Sequence, residues 1–291
     1  MKVVLYIFTA LFFISCSSPK ANLRYDVLAR YKAPKKTHKT DASWARYRKN
    51  VLKTSRIKRA KAFMKRYSKE LKKAEKTYNV DKEYIVAFIA IESNFCSYTG
   101  NYVVYDVLYT LANCQNRMQN FFQQELKALK RLSALQDKDI RSYKGSFAGA
   151  MGCVQQLPSV YLKYSVDFDH DGKKDLYSLV DCIGTIANFM KKNGWQKGAT
   201  VTVRARYKGS RYSGLETGYN RLYDLKTLKK HGITPRKKIK EKVVSLLQLR
   251  DIDHDELWLG CKNMRVLTAY NHSTNYGMAI YKFAQRLKGK R

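Results

Sequence analysis

Acidic side chains are scarce in this 291-residue sequence: 23 Asp and Glu stand against 57 Lys and Arg, a formal net charge of +34. A field of that sign gathers polyanions, whether nucleic acid, anionic lipid or a cell wall bearing peptide carboxylates, and charge alone does not choose among them. No nucleic-acid module is recognisable and the basic residues are scattered at helical spacing, mostly as solvated faces, so no nucleic-acid partner is expected. The six cysteines include no C-x-x-C pair, which argues against a zinc site. There is no internal repeat, and nothing calls for an organic cofactor. What is present is 45% hydrophobic and 13% aromatic residues. That excludes a disordered chain and suffices for one good core, or a core with a small satellite domain.

The N-terminus reads Lys2, a largely apolar run over 3–14, then Ser15-Cys16-Ser17-Ser18. A positive start, about a dozen apolar residues and a small residue before the cut describe an export signal over 1–15, too short to span a membrane well. Export implies an oxidising compartment, so Cys96, Cys114, Cys153, Cys182 and Cys261 could pair, with at least one left over. Cys16 resembles the lipobox cysteine of bacterial lipoproteins, although Phe13 stands where such boxes usually carry Leu. That resemblance implies acylation at Cys16 and a lipidated basic tether over 16–42, polar and interrupted by Pro19 and Pro34. It places the protein on the periplasmic face of the outer membrane, since Ser17 is not the Asp associated with inner-membrane retention; without the lipid it would be soluble in the periplasm.

Downstream, apolar and aromatic residues recur at helical spacing over 43–78 (Phe63, Tyr67, Leu71, Ala74, Tyr78), which predicts one amphipathic helix. Residues 84–91 are apolar on every side and predict a buried helix with Glu92 at its end. Further helices are expected over 103–112, 121–135, 181–193 (closed by Gly194) and 267–287. A Gly- and Ala-rich turn is expected over 144–152. Residues 200–207 alternate as a strand should, and the Gly- and Tyr-rich stretch after them suggests a small sheet. The fold class is therefore mainly α (α+β): a helical core over 61–195, a small β-containing subdomain over 196–262, and a returning helix over 263–291.

A carboxyl at the end of an apolar helix is partly desolvated, which raises its pKa and makes Glu92 a candidate general acid. The alternative is a helix-end Glu turned to solvent. A hydrolytic glycosidase would normally need a second carboxylate, and none is well placed: Asp106 lies on a helix face and the acidic loop 167–175 looks committed to a cation. A lone acid points to a reaction whose nucleophile belongs to the substrate. In that loop, Asp167, Asp169, Asp171 and Gly172 have the spacing that opens an EF-hand, with Lys173 offering its carbonyl; Ser178 replaces the usual Glu at position 12. An Asp-rich turn without metal is the alternative.

Taken together, Asn79-Val80-Asp81 through Ile91-Glu92-Ser93, the turn at 98–101, GSFAGAMG at 145–152, the DFDHDGKKDL loop and Tyr270-Asn271-His272-Ser273 resemble the membrane-bound lytic murein transglycosylase B family, in order, over about 44–287. The resemblance implies a lysozyme-like catalytic domain acting on peptidoglycan glycan strands during cell-wall remodelling. It also implies that Glu92 protonates the oxygen between N-acetylmuramic acid and N-acetylglucosamine and then deprotonates the muramyl C6 hydroxyl, leaving a 1,6-anhydro ring. Ser146, Gln155 and Asn271 would orient the sugar, Tyr270 and Tyr276 would line the cleft, Arg117 would contact substrate, and Asp181 would complete a structural Ca²⁺ site with Asp167, Asp169, Asp171 and Lys173. Taken singly, these would read as a turn Ser, a surface Gln, a capping Asn and packed aromatics. Met118, Cys153 and Val154 depart from the family pattern. The other readings are a catalytically weak peptidoglycan-binding scaffold on the same fold and a lysozyme-like hydrolase. Membrane attachment through the lipid and cell-wall synthesis or division proteins as partners would accompany the enzyme.

Overall fold

In the computed structural model, the described residues are 21–32, 42–209 and 211–289. The export signal over 1–15 and Cys16 lie outside them. The chain order opens with helices α1 (Tyr25–Lys32), α2 (Ser43–Val51), α3 (Thr54–Arg66), α4 (Ser68–Tyr78) and α5 (Lys82–Ser93). After the short strand β1 (Tyr102–Val103) come α6 (Val104–Asn113) and α7 (Gln119–Leu135). Strand β2 (Lys144–Gly145) precedes α8 (Pro158–Tyr164) and α9 (Leu179–Lys192). The β subdomain comprises β3 (Thr202–Arg206), β4 (Leu222–Asp224), α10 (Leu225–Lys230), β5 (Thr234–Pro235), β6 (Val243–Arg250) and β7 (Asp255–Gly260). Helices α11 (Lys262–Tyr270) and α12 (Thr274–Leu287) close the chain.

The all-apolar helix is the axis of the main core. Tyr84 through Ala90 are buried without interruption, and α5 packs against α12, α9, α3 and α4. Asn79, left-handed at φ 53°, ends α4, and Asp81 then opens α5. A second core lies between α1, α6, α7 and α8. A third fills one side of the five-stranded antiparallel sheet, in the order β4-β6-β7-β3-β5.

Three expectations need correction. The single helix over 43–78 is three, with breaks at Leu52-Lys53 and Tyr67; neither break carries Gly or Pro, so the periodicity runs through both without a local stop signal. The returning helix over 267–287 is two, parted at 271–273, where Ser273 accepts the Tyr276 N–H at 3.3 Å and caps α12. Part of the expected tether is not a tether: α1 buries Val27, Leu28 and Tyr31 against the second core, and its entry is tied down by Asn22 N–H donating to Asp106 (3.2 Å) and Arg24 N–H to Thr110 (2.9 Å). An eight-residue helix shows too short a period to be recognised amid Lys and Arg. No helix among the described residues is long and apolar enough to cross a membrane.

Candidate active site

Glu92 occupies the last turn of α5, half-buried, where the apolar helix emerges from the core. Tyr276, from the first turn of α12, donates its hydroxyl to Glu92 Oε1. Burial pushes the Glu92 carboxyl up to about 7, with the Tyr276 hydrogen bond pulling the other way. The free carbonyls at a helix C-terminus disfavour a carboxylate as well. Among the described residues, no other carboxylate acts on Glu92. Two buried acids are committed elsewhere: Asp106 is paired with Arg141 at 3.1 Å, and Glu125 accepts from the Ser159 N–H (3.0 Å) and hydroxyl (2.5 Å).

Aromatic rings wall the carboxyl. Tyr270, at the end of α11, stacks on Tyr276 with ring centroids 6.4 Å apart and planes 7° from parallel. It also packs on Phe88 and Phe189, each at 4.9 Å, and donates its hydroxyl to the Val154 carbonyl. Burial, reinforced by the Glu92 charge, raises both tyrosines well above their ordinary value, so both remain neutral donors. Tyr47 of α2 was not singled out in the sequence. It is raised to about 12 by burial and then by the charge of Glu92, which acts on it through space. Its only sequence signal, an aromatic in a basic amphipathic helix, is shared with many residues that have no such role.

The other expected site residues sit on loops and turns. Ser146 is in the Gly-rich turn, its hydroxyl accepting from the Ala148 and Ala150 N–H groups at 3.2 Å each. Gln155, left-handed at φ 47°, donates through Nε2 to the Thr99 (2.9 Å) and Gly152 (2.8 Å) carbonyls. A cavity of about 410 Å³ is lined by Gln155, Gln156, Lys163, Tyr164, Phe189 and Tyr270; Tyr270 is the wall it shares with the Glu92 pair. Asn271 is exposed in the α11–α12 turn. Arg117 is placed differently from the rest: its guanidinium lies 5.1 Å from the Tyr31 ring centroid and its backbone N–H donates to the Tyr31 carbonyl at 3.3 Å, docking the α6–α7 turn on α1.

Two features lock the loops to the helix. Gly100 and Gly145 meet so closely that a Cβ on Gly100 would lie 2.1 Å from the Gly145 carbonyl oxygen, and the adjoining strands pair Tyr102 with Gly145. A disulfide joins Cys96 to Cys153, a pairing the sequence had left open, while Cys114, Cys182 and Cys261 are free thiols.

In the acidic loop, carboxylate oxygens of Asp167, Asp169 and Asp181 come within 4.8 Å of one another. Asp171 instead accepts the Lys173 N–H at 2.8 Å. Asp181 accepts from the Phe168 and Asp175 N–H groups, both at 2.7 Å. Its carboxyl is raised by burial and by the repulsion of Asp169 and Asp167, against the pull of those two N–H groups. An all-oxygen donor set whose members repel one another suits a hard divalent cation.

An acid of raised pKa at the end of a buried helix, hydrogen-bonded by one tyrosine hydroxyl and walled by aromatic rings, has the form of a general acid on a helical domain. Comparison with known proteins agrees. Residues 16–285 match the Transglycosylase SLT domain family. The membrane-bound lytic murein transglycosylase B of Escherichia coli (strain K12) is 35% identical over 246 residues, 84% of this chain and 67% of that protein. Among solved structures, the E. coli lytic transglycosylase SLT35 in complex with calcium superposes with a TM-score of 0.85 at 32% identity, covering 92% of this chain and 84% of that one. SltB3 of Pseudomonas aeruginosa in complex with NAG-NAM-pentapeptide does so with 0.78 at 26% identity, covering 92% and 72%. The chain belongs to the SLT transglycosylase family and is a lytic transglycosylase on a lysozyme-like fold.

Proposed function

We propose that this enzyme cleaves the β-1,4 bond between N-acetylmuramic acid and N-acetylglucosamine in peptidoglycan strands and leaves a 1,6-anhydromuramyl end, with Glu92 as its single acid and base. The observation that carries this reading is the Glu92 carboxyl raised to about 7 by burial, with no partner carboxylate among the described residues acting on it. Near neutral pH such a group holds a proton for the leaving glycosidic oxygen and, once ionised, accepts one from the muramyl C6 hydroxyl as that oxygen closes on C1. The Tyr276 hydroxyl supports the ionised half of the cycle by donating to Oε1. Tyr270 and Tyr276 offer a stacked wall for the sugar, and Ser146, Gln155 and Asn271 supply neutral hydroxyl and amide groups that recognise acetamido and hydroxyl substituents without adding charge. Arg117, at the docked α6–α7 turn, would act at the periphery on a carboxylate of the substrate's peptide. The peptidoglycan fragment bound by SltB3 is of the same chemistry.

Asp167, Asp169, Asp171, the Lys173 carbonyl and Asp181 would hold one Ca²⁺, as the calcium complex of SLT35 encourages. Bound there, the ion would supply charge neutralisation that ties the loop to α9. Acylation at Cys16 would anchor the enzyme to the outer membrane; changing Cys16→Ser should release mature protein from the membrane fraction or leave an unprocessed precursor, and unaltered membrane-bound mature protein would exclude the anchor.

The deciding experiment digests purified sacculi and weighs the soluble products. The expected muropeptides are one water lighter than those lysozyme releases, because the C6 hydroxyl rather than solvent closes on C1. Products ending in reducing muramic acid would show a hydrolase instead.

A further inference from the structure

The chemistry just described uses Glu92 but not the turn behind it. Asn94, Phe95 and Cys96 have φ of 51°, 60° and 64°, three left-handed residues in succession without a glycine. In that conformation Cβ crowds the following carbonyl oxygen, and such backbone persists only where its surroundings over-determine it. Several contacts do so here. The Ser93 hydroxyl accepts the Cys96 N–H at 2.8 Å, the Phe95 ring packs on Phe63 at 5.1 Å, and Arg59 of α3 donates to the Asn94 carbonyl (3.3 Å) and the Ser97 hydroxyl (3.0 Å). The covalent hold is the Cys96–Cys153 disulfide, which joins residues 57 apart.

Its far end is equally placed. Cys153 is fully buried and its N–H donates to the Leu176 carbonyl at 2.9 Å, at the exit of the acidic loop. Two residues on stands Gln155, itself left-handed. Gly152 approaches Leu176 so closely that a Cβ would lie 2.3 Å from the Leu176 carbonyl oxygen. One covalent bond therefore connects the helix end that carries Glu92 to the loop that carries Ser146 and Gln155.

We propose that the Cys96–Cys153 disulfide is a positioning element of the active site, with Cys96 and Cys153 as positioning residues that hold the left-handed turn behind Glu92 and the loop 145–156 in one register. The proposal rests on the reading of Glu92 given above. A cross-link that served stability alone would act chiefly by restricting the unfolded chain and would leave the folded geometry unchanged when removed. Here the bridged turn is disfavoured on its own, so opening the bond lets the folded turn relax and loosens the last turn of α5. The groups facing Glu92 are Tyr276 from α12, Tyr47 from α2 with Arg56 near it, and Tyr270 from α11. Loosening α5 admits water among them and misaligns the acid with the sugar-orienting loop.

The test compares wild type, Cys153→Ala and Cys96→Gly/Cys153→Ala on a soluble muropeptide, measuring kcat, KM and the pH at which activity falls on the alkaline side. Cys153→Ala should lose about tenfold to a hundredfold in kcat with KM changed much less, the cost expected of a small misplacement of a reacting group. Its alkaline limb should move to lower pH, because a hydrated Glu92 ionises earlier. Adding Cys96→Gly should recover most of both, since glycine adopts positive φ without a Cβ penalty. If Cys153→Ala does not fold, dithiol reduction of the folded wild type opens the same bond, the reagent leaving as its own cyclic disulfide, and the same losses are expected. Wild-type kcat and alkaline limb after the bond is opened, whatever happens to the melting temperature, would overturn the proposal, as would a glycine variant no better than Cys153→Ala. Activity that survives Glu92→Gln would remove the underlying reading of the acid instead, so the two failures are distinguishable.

Discussion

Glu92→Gln should make the protein inactive and, above neutral pH, more stable. Burial holds the Glu92 carboxyl at about 7 in the folded protein against an ordinary 4.5. Between those values the folded state keeps a proton that the unfolded chain has released, so stability falls as the pH rises through this window. The benefit of neutrality is complete below about pH 4.5, and the full cost of ionising the buried group is present above about pH 7. At about 1.4 kcal/mol per pKa unit this amounts to about 3 kcal/mol, an upper bound because the cleft admits water around a half-buried group. Gln keeps the size and accepts the Tyr276 hydroxyl without ever ionising. At pH 8 it should raise the melting temperature by several degrees, given roughly 2–4 °C per kcal/mol for a domain of this size, whereas at pH 5 the two proteins should melt within a degree or two of each other. Turnover should fall by at least about 10²–10⁴-fold, since one group serves both proton transfers. Calorimetry of both proteins at the two pH values, with product release from sacculi, checks the argument. A stability difference that does not change with pH would show that Glu92 is not a desolvated acid, and near-normal turnover would refute its role.

Tyr276→Phe removes the hydroxyl that favours ionised Glu92, so the alkaline limb of the activity profile should move to higher pH; an unmoved or lowered limb would contradict that hydrogen bond. Ca²⁺ should raise the melting temperature relative to chelator, by about 2.7 kcal/mol of stability at a hundredfold excess over Kd, and Asp181→Asn should largely abolish the difference; identical melting with metal and with chelator would exclude the site. Gly100→Ala places a Cβ 2.1 Å from the Gly145 carbonyl oxygen at φ +90°, which should cost at least about 1–3 kcal/mol in chemical denaturation, and a neutral result would mean the two loops do not meet as described.

What the sequence determined by itself was what local pattern encodes. Uninterrupted apolarity over 84–91 made a buried helix, since no face of it could be left in water. Its termination at Glu92 put a carboxyl at the end of an apolar helix, and Asp at alternate positions made the acidic turn over 167–171, because both depend on residues adjacent in the chain. The breaks at Leu52-Lys53 and Tyr67 and the docking of α1 were not legible: no breaker marks the first two, and the third is decided by the apolar face of α6, some eighty residues away. Local pattern did not single out which aromatics among 22 Tyr and 12 Phe surround the acid: the family resemblance pointed to Tyr270 and Tyr276, and Tyr47 came only from the tertiary structure. Tyr47, Tyr270 and Tyr276 come from three helices separated by up to 229 positions, and such proximity depends on packing that no local period records. The same holds for the pairing of Cys96 with Cys153 out of five cysteines. Cysteine spacing permits many connectivities, and only the meeting of α5 with the Gly-rich loop selects one.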